Sequence, residues 1–264
     1  MSAPDALSIA AGAIAARLAS ADGLLVVGIT GAQGSGKSTL AAGLAAHFTA
    51  AGCQTAVLSL DDLYLPRADR DVLAAAVHPL LATRGVPGTH EPALGMAIIA
   101  ALRAGHSAAL PRFDKAVDDR SDVVVTAPAD TQLLIVEGWC LGAQPEPDAA
   151  LVVPVNALEA NEDADGGWRQ HVNAQLSGAY RAFFAQFDCQ ILLLAPDWPI
   201  VAQWRAEQEA ALKHAAGDQA AGMNATELER FMQHFERLSR WIMADLPPRA
   251  DLVLRLDRQR RVIA

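Results

Sequence analysis

Cysteine is scarce in this chain of 264 residues. Cys53, Cys140 and Cys189 stand far apart and are odd in number, which leaves neither a disulfide framework nor a CxxC metal site. A reducing compartment, the cytoplasm, is the expectation that follows. Aromatics are few as well, with Phe 7, Trp 5 and Tyr 2, so the core must be filled mainly by Ala, Leu, Val and Ile. No run of 18 or more apolar residues occurs, which argues against a membrane-spanning helix. The N-terminus lacks a signal peptide's basic start, since Asp5 precedes any basic residue and Arg17 and Asp22 interrupt the apolar stretch. Positive charge is in deficit: 21 Lys+Arg against 30 Asp+Glu give a net charge of −9. Phosphate backbones reward a basic face, so this balance argues against nucleic acid as the main partner. An anionic small-molecule substrate would need Arg and Lys gathered locally against the overall field. No feature of the sequence sets an oligomeric state.

What is present is a folding composition. Apolar residues make up 52 % and charged residues 19 %, and the length suits one domain over 1–264 with a single core. Near-helical spacing of Leu7, Ile9, Ala10, Ile14 and Leu18 predicts an N-terminal helix over about 5–20. Continuous apolar runs at 24–29 (LLVVGI) and 133–136 (LLIV) read as strands buried on both faces, and 55–60 (TAVLSL), 191–194 and 252–256 read as further strands. Helical patterns at 38–51, 94–102, 168–187 and 198–214 lie between or beside them, and 122–126 reads as a short strand. Asn224-Ala-Thr-Glu227 resembles a capping box opening a helix to Met243, while 142–167 reads as an irregular connection. Strands alternating with helices predict an α/β doubly wound, mainly parallel sheet with helices on both faces and a helical lid over about 197–243.

The sharpest motif is Gly31-Ala32-Gln33-Gly34-Ser35-Gly36-Lys37-Ser38, which fits G-x-x-x-x-G-K-[ST] and is followed by Thr39. Its glycines let backbone N–H groups surround phosphate oxygens. Lys37 reaches the β- and γ-phosphates, the Ser38 hydroxyl can ligate Mg²⁺, and the helix start adds a favourable dipole. The motif follows a buried strand and opens a helix, the setting it requires. A dinucleotide fingerprint started at Gly34 would need a third glycine where Thr39 stands, so ATP is the expected nucleotide.

Ligands gather beyond the carboxyl ends of parallel strands, and three acids close strands here. Asp61 and Asp62 follow the 55–60 run, and Glu137 follows 133–136. They lie near the phosphate loop if those strands flank the first one. Glu137 reads as a metal anchor and Asp61 as the base that accepts the acceptor hydroxyl's proton. Asp62 should point away and cap. A turn residue is the ordinary reading of one Asp, but the upstream phosphate loop favours a role for Asp61.

Two further stretches concentrate charge. Arg84-Gly-Val-Pro-Gly-Thr-His90-Glu91 is a rigid turn carrying a cation, an imidazole and a carboxylate. Leu110-Pro-Arg112-Phe-Asp114-Lys115-Ala-Val-Asp118-Asp119-Arg120 mixes cations and acids. Both could seat a small anion, or be solvated loops. Arg205, in a charged helical segment, could meet the transferring phosphate or belong to a solvated face.

The ordered set GAQGSGKST, SLDDLYL, RGVPGTHE, LPRFDKAVDDR, IVEGWCLG, WRAEQE and GMNATELERFM resembles the D-glycerate 3-kinases of plant and fungal type, in the phosphoribulokinase and uridine kinase-like branch of P-loop kinases. The resemblance runs from about Gly28 to Phe235. It implies an enzyme that transfers the γ-phosphate of ATP to the 3-hydroxyl of D-glycerate, with Mg²⁺. It also implies roles for Lys37 and Ser38 at phosphate and metal, Asp61 as base, Glu137 at the metal and Arg205 in the lid, with Tyr64, Arg84, His90, Lys115 and Arg120 on the substrate side. Glu91 stands where Asp is usual and Asn224 where Ser is usual. Readings left open are a same-branch kinase for a nucleoside, pantothenate or a sugar phosphate, and a partner-stimulated P-loop ATPase. A GTP switch is disfavoured because no N/T-K-x-D guanine reader occurs.

Overall fold

The computed structural model describes residues 5–216 and 223–263. The six-stranded main sheet has the order β2–β5–β1–β6–β7–β8. Its members are β1 (Leu25–Gly31), β2 (Thr55–Ser59), β5 (Leu133–Gly138), β6 (Cys189–Leu194), β7 (Leu252–Leu256) and β8 (Val262–Ile263). All neighbours are parallel except β7 and β8. Every residue of β1 and of β5 is buried, as runs without polar alternation require in a sheet covered on both faces. Close packing follows: a Cβ on Gly28 would lie 2.6 Å from the Phe187 ring.

One placement differs from the simplest reading. Only β5 and β6 flank β1, and β2 lies one strand further out, beyond β5. The register still brings the acids together, because Glu137 is opposite Ile29 on one side and Ser59 on the other.

The helices are α1 (Ala6–Leu18), α2 (Lys37–Ala50), α3 (Arg67–Ala76), α4 (Pro92–Arg103), α5 (Ala157–Glu162), α6 (Gly167–Ser177), α7 (Ala179–Phe184), α8 (Trp198–Ala216) and α9 (Ala225–Asp245). The capping box at the start of α9 is present in both directions, Asn224 to Glu227 and back, a device worth about 1 kcal/mol. The helical pattern at 168–187 is two helices, since the backbone of Gly178 leaves the helical region at φ −103, ψ −114. The 142–167 connection contains α5 and a short 3-10 turn at Asp148–Leu151. The expected lid region crosses 217–222, which lie outside the described residues.

The charged stretch at 110–120 and the strand expected at 122–126 together form an antiparallel hairpin, β3 (Ala108–Asp114) with β4 (Asp119–Ala127), so the stretch is not a solvated loop. Tertiary bonds hold it to the body. Asp62 accepts from the Phe113 amide and from Arg112, both at 3.0 Å. The fully buried Arg70 donates to Leu65 O, Ala82 O and Asp118 O. α3 is therefore a polar helix fixed by one buried guanidinium.

Candidate active site

The phosphate loop leaves β1 and enters α2 through two left-handed glycines, Gly34 at φ 75 and Gly36 at φ 91. Gly36 is the N-cap of α2 and offers no side-chain bond, and the first turn holds no acid, so the helix's leading N–H groups face outward for an anion. A Cβ on Gly34 would come within 2.8 Å of Trp204 Cβ and 2.9 Å of its carbonyl carbon, so the loop packs directly on α8. Gln33 Oε1 and Ser35 Oγ are buried there without a hydrogen-bond partner.

A cleft of about 610 Å³ opens over this loop. Its wall includes Gln33, Gly34 and Gly36 to Thr39 at one end, and Asp61, Tyr64, Arg84, Lys115 and Trp139 at the other. Glu137 closes β5 between them. Its Oε1 accepts from Ser59 Oγ at 2.7 Å, while its Oε2 is buried with no partner. Ser59 Oγ also accepts from the Asp61 amide at 3.3 Å, so one hydroxyl joins the two acid-bearing strand ends.

Asp61 lies in a 3-10 turn, Leu60–Leu63, and points into the cleft. Lys115 Nζ donates to its Oδ2 at 2.5 Å. Burial alone would raise this carboxyl, but the charges of Lys115 and Lys37 outweigh it and hold the group down at about 2. Asp62 turns the other way and pins the hairpin rather than capping, and burial raises its carboxyl.

The expected acceptor residues divide. Tyr64, Arg84 and Lys115 line the cleft, and so does Trp139, whose indole N–H donates to Gly85 O at 2.8 Å. His90 does not reach the wall. It is 4 % exposed behind Tyr64, stacked on that ring at 4.3 Å, and its Nδ1 meets Tyr180 Oη at 2.7 Å. Burial lowers its imidazole to about 3, so it is neutral. Arg120 is also off the cleft wall, donating to Glu91 at 2.6 Å and to Tyr64 O at 3.1 Å. Arg84 lines the cleft but pairs with Asp118. Arg205 lines it from α8, paired with Glu209 at 2.7 Å and 5.9 Å from the Phe231 ring.

Arg260 and Ser59 carry weight that the sequence did not signal. The Arg260 Nε donates to Gly34 O at 2.7 Å, its guanidinium meets Glu207 at 2.7 Å, and it lies 5.0 Å over the Trp204 ring. It adopts φ 64, unusual for a residue with a side chain, in the turn between β7 and β8. Among the described residues, five cations (Lys37, Arg84, Lys115, Arg205 and Arg260) and three carboxylates (Asp61, Glu137 and Glu207) line the cleft. Arg120, expected among the cleft's cations, does not line it, whereas Arg260 does.

Comparison with known proteins places this arrangement. Over residues 4–64, α1 through the Asp61 turn, the chain matches the family model of the methylmalonyl Co-A mutase-associated GTPase MeaB. It is 32 % identical over 222 residues to the "Uncharacterized kinase mug58" of Schizosaccharomyces pombe, an alignment covering 80 % of this chain and 78 % of that protein. The chain belongs to this family of P-loop kinases. It is 28 % identical over 223 residues to the chloroplastic D-glycerate 3-kinase of Arabidopsis thaliana, covering 80 % of this chain but only 46 % of that longer protein. The solved D-glycerate 3-kinase of Cryptococcus neoformans var. grubii superposes with a TM-score of 0.80 over 99 % of both chains, at 24 % identity. That likeness establishes the fold: a P-loop kinase sheet with helices around it. The family makes this chain a phosphotransferase.

Proposed function

We propose that this P-loop kinase transfers the γ-phosphate of ATP to the 3-hydroxyl of D-glycerate, giving 3-phosphoglycerate. The observation that carries the reading is that the phosphate loop, the acid-bearing ends of β2 and β5 and the cationic hairpin turn open onto one cleft. The identity to a plant D-glycerate 3-kinase supports the choice of acceptor.

In this reading residues 31–39 seat the nucleotide phosphates on backbone N–H groups, and Lys37 adds a cation. Mg²⁺ fits the Ser38 hydroxyl and Glu137, because the orphaned Glu137 Oε2 is the kind of buried oxygen that a cation satisfies. When bound, the ion neutralises phosphate charge. Asp61 takes the proton from the acceptor hydroxyl as its oxygen attacks in line. Lys37 and Arg205 stabilise charge on the moving phosphoryl group, Arg205 by leaving Glu209. Tyr64, Arg84 and Lys115 face the acceptor. His90 and Arg120 support that wall from behind, His90 through its stack on Tyr64 and Arg120 through its bond to Tyr64 O.

The proposal includes one kinase domain over 1–264 and a cytoplasmic location, supported by three unpaired cysteines. No described helix is long and apolar enough to cross a membrane. Mass spectrometry of the product from ATP and D-glycerate tests acceptor and regiochemistry together. Formation of 3-phosphoglycerate is the expected result. Phosphorylation of a nucleoside, pantothenate or a sugar phosphate in the same screen, with no response to D-glycerate, would overturn the assignment.

A further inference from the structure

The cations of the acceptor end are not equivalent. Arg84 is paired with Asp118, which Arg70 also holds at 3.0 Å. Arg112 bonds Asp62 and Pro111 O, and Arg120 bonds Glu91 and Tyr64 O. Each is fixed by two protein groups or by a shared, anchored carboxylate. Lys115 has a single hydrogen-bonding partner among the described residues, Asp61, and its side chain is 59 % exposed. The turn that carries it, 115–118, is bolted down at its far end by Arg70 and Arg84 on Asp118, so the Lys115 side chain can swing without moving the hairpin. Lysine is suited to this, being a point charge on a flexible stem with no bidentate geometry to lose.

The partner it holds is the carboxylate that must accept a proton. An ammonium at 2.5 Å from Oδ2 occupies the proton-accepting oxygen and depresses its basicity. Lys37, His90 and Asp62 also lie about Asp61, and the Tyr64 hydroxyl bonds its carboxylate, but Tyr64 is buried and stacked on His90, so among the described residues Lys115 is the bonded partner that is free to leave. We propose that Lys115 selects the acceptor by exchange: an acidic group on the incoming molecule draws the ammonium off Asp61, which then accepts the acceptor hydroxyl's proton.

This rests on the kinase reading above and deepens it, since glycerate carries such a carboxylate. In the step itself the acceptor oxygen forms a bond to the γ-phosphorus. The bond from that phosphorus to the β–γ bridging oxygen breaks with its electron pair left on ADP, and the hydroxyl proton passes to Asp61. A neutral acceptor, or water, arrives without an acidic group and meets a base still paired with Lys115. Lys115 is thus a positioning residue for Asp61 and a specificity residue for an anionic acceptor.

The test compares wild type with Lys115→Met on three substrates: ATP with D-glycerate, ATP with glycerol, and ATP alone. Lys115→Met should lower kcat/KM for glycerate by about 10²-fold and raise that for glycerol by roughly tenfold, since base strength sets proton-transfer efficiency. Acceptor-free ATP hydrolysis should rise several-fold, and adding Asp61→Asn to Lys115→Met should remove that rise. Glycerol turnover and ATP hydrolysis both unchanged would make Lys115 a plain carboxylate binder and overturn the exchange. Equal losses on both acceptors at unchanged thermal midpoint would make it structural and overturn it too. The ATP-only arm needs no acceptor, so a wild type that ignores glycerate refutes the glycerate reading while this arm still decides the exchange.

Discussion

The two ends of the cleft are built on opposite principles. At the nucleotide end one contiguous segment, 31–39, presents backbone N–H groups, and Gln33 Oε1 and Ser35 Oγ are left without partners. At the acceptor end and behind its wall, side chains from distant segments already satisfy one another: Arg84 with Asp118 and Lys115 with Asp61 at the cleft, Arg112 with Asp62 and Arg120 with Glu91 behind it. A backbone site needs no partner chosen elsewhere in the chain, and any polyphosphate of suitable shape fits it. A site of paired charges discriminates, because an entering group must displace a partner. On the function proposed above, the nucleotide end therefore binds and the acceptor end decides what is phosphorylated.

That contrast can be broken at several points, in falling order of effect. Lys37→Met removes the cation carried by the phosphate loop itself and should lower kcat by about 10³-fold in steady-state assays, the scale of losing one preorganised electrostatic contact to the transition state. Arg260→Ala removes the brace on Gly34 O, and should raise the KM for ATP several-fold with little change in kcat or in the KM for the acceptor. A matching rise in the acceptor KM would show that the two ends are not separable. Glu91→Asp shortens the partner of Arg120 in a half-buried pair that keeps its charges, so kcat/KM should change by less than about threefold, the scale of a largely solvent-screened ion pair. A larger loss would place Glu91 in the acceptor site itself.

Local signals were legible where the chain satisfies itself locally. LLVVGI and LLIV gave β1 and β5 because strands covered on both faces need no alternation. The capping box fixed the start of α9, and the Gly-Lys-Ser loop announced the nucleotide end. What was hidden depends on distant partners. α3 has only Arg70 fully buried, and its guanidinium finds carbonyls up to 48 residues away. β3 carries Pro111 and a register shift between Leu110 and Arg112, which erase the period of two. The insertion of β5 between β1 and β2 is a topological fact with no local signature.

The same rule explains the site. Asp61, Glu137 and Lys37 sit at element ends and could be placed from strand and helix boundaries alone. His90 reads as a cleft residue, yet Tyr180, 90 residues away, takes its Nδ1 and Tyr64 covers its face. Arg260 is one arginine in a charged C-terminal stretch, and only its bond to Gly34 O, 226 residues away, distinguishes it. Pairing across such separations is what composition and spacing do not encode.

The division of labour is tested most directly by measuring ATP affinity and turnover on Asp61→Asn. Asn keeps the shape of the side chain and removes its capacity to accept the acceptor's proton. The Kd for ATP should stay within about twofold of wild type while kcat falls by roughly 10²-fold or more. Near wild-type turnover, or loss of ATP binding in step with turnover, would contradict that division of labour.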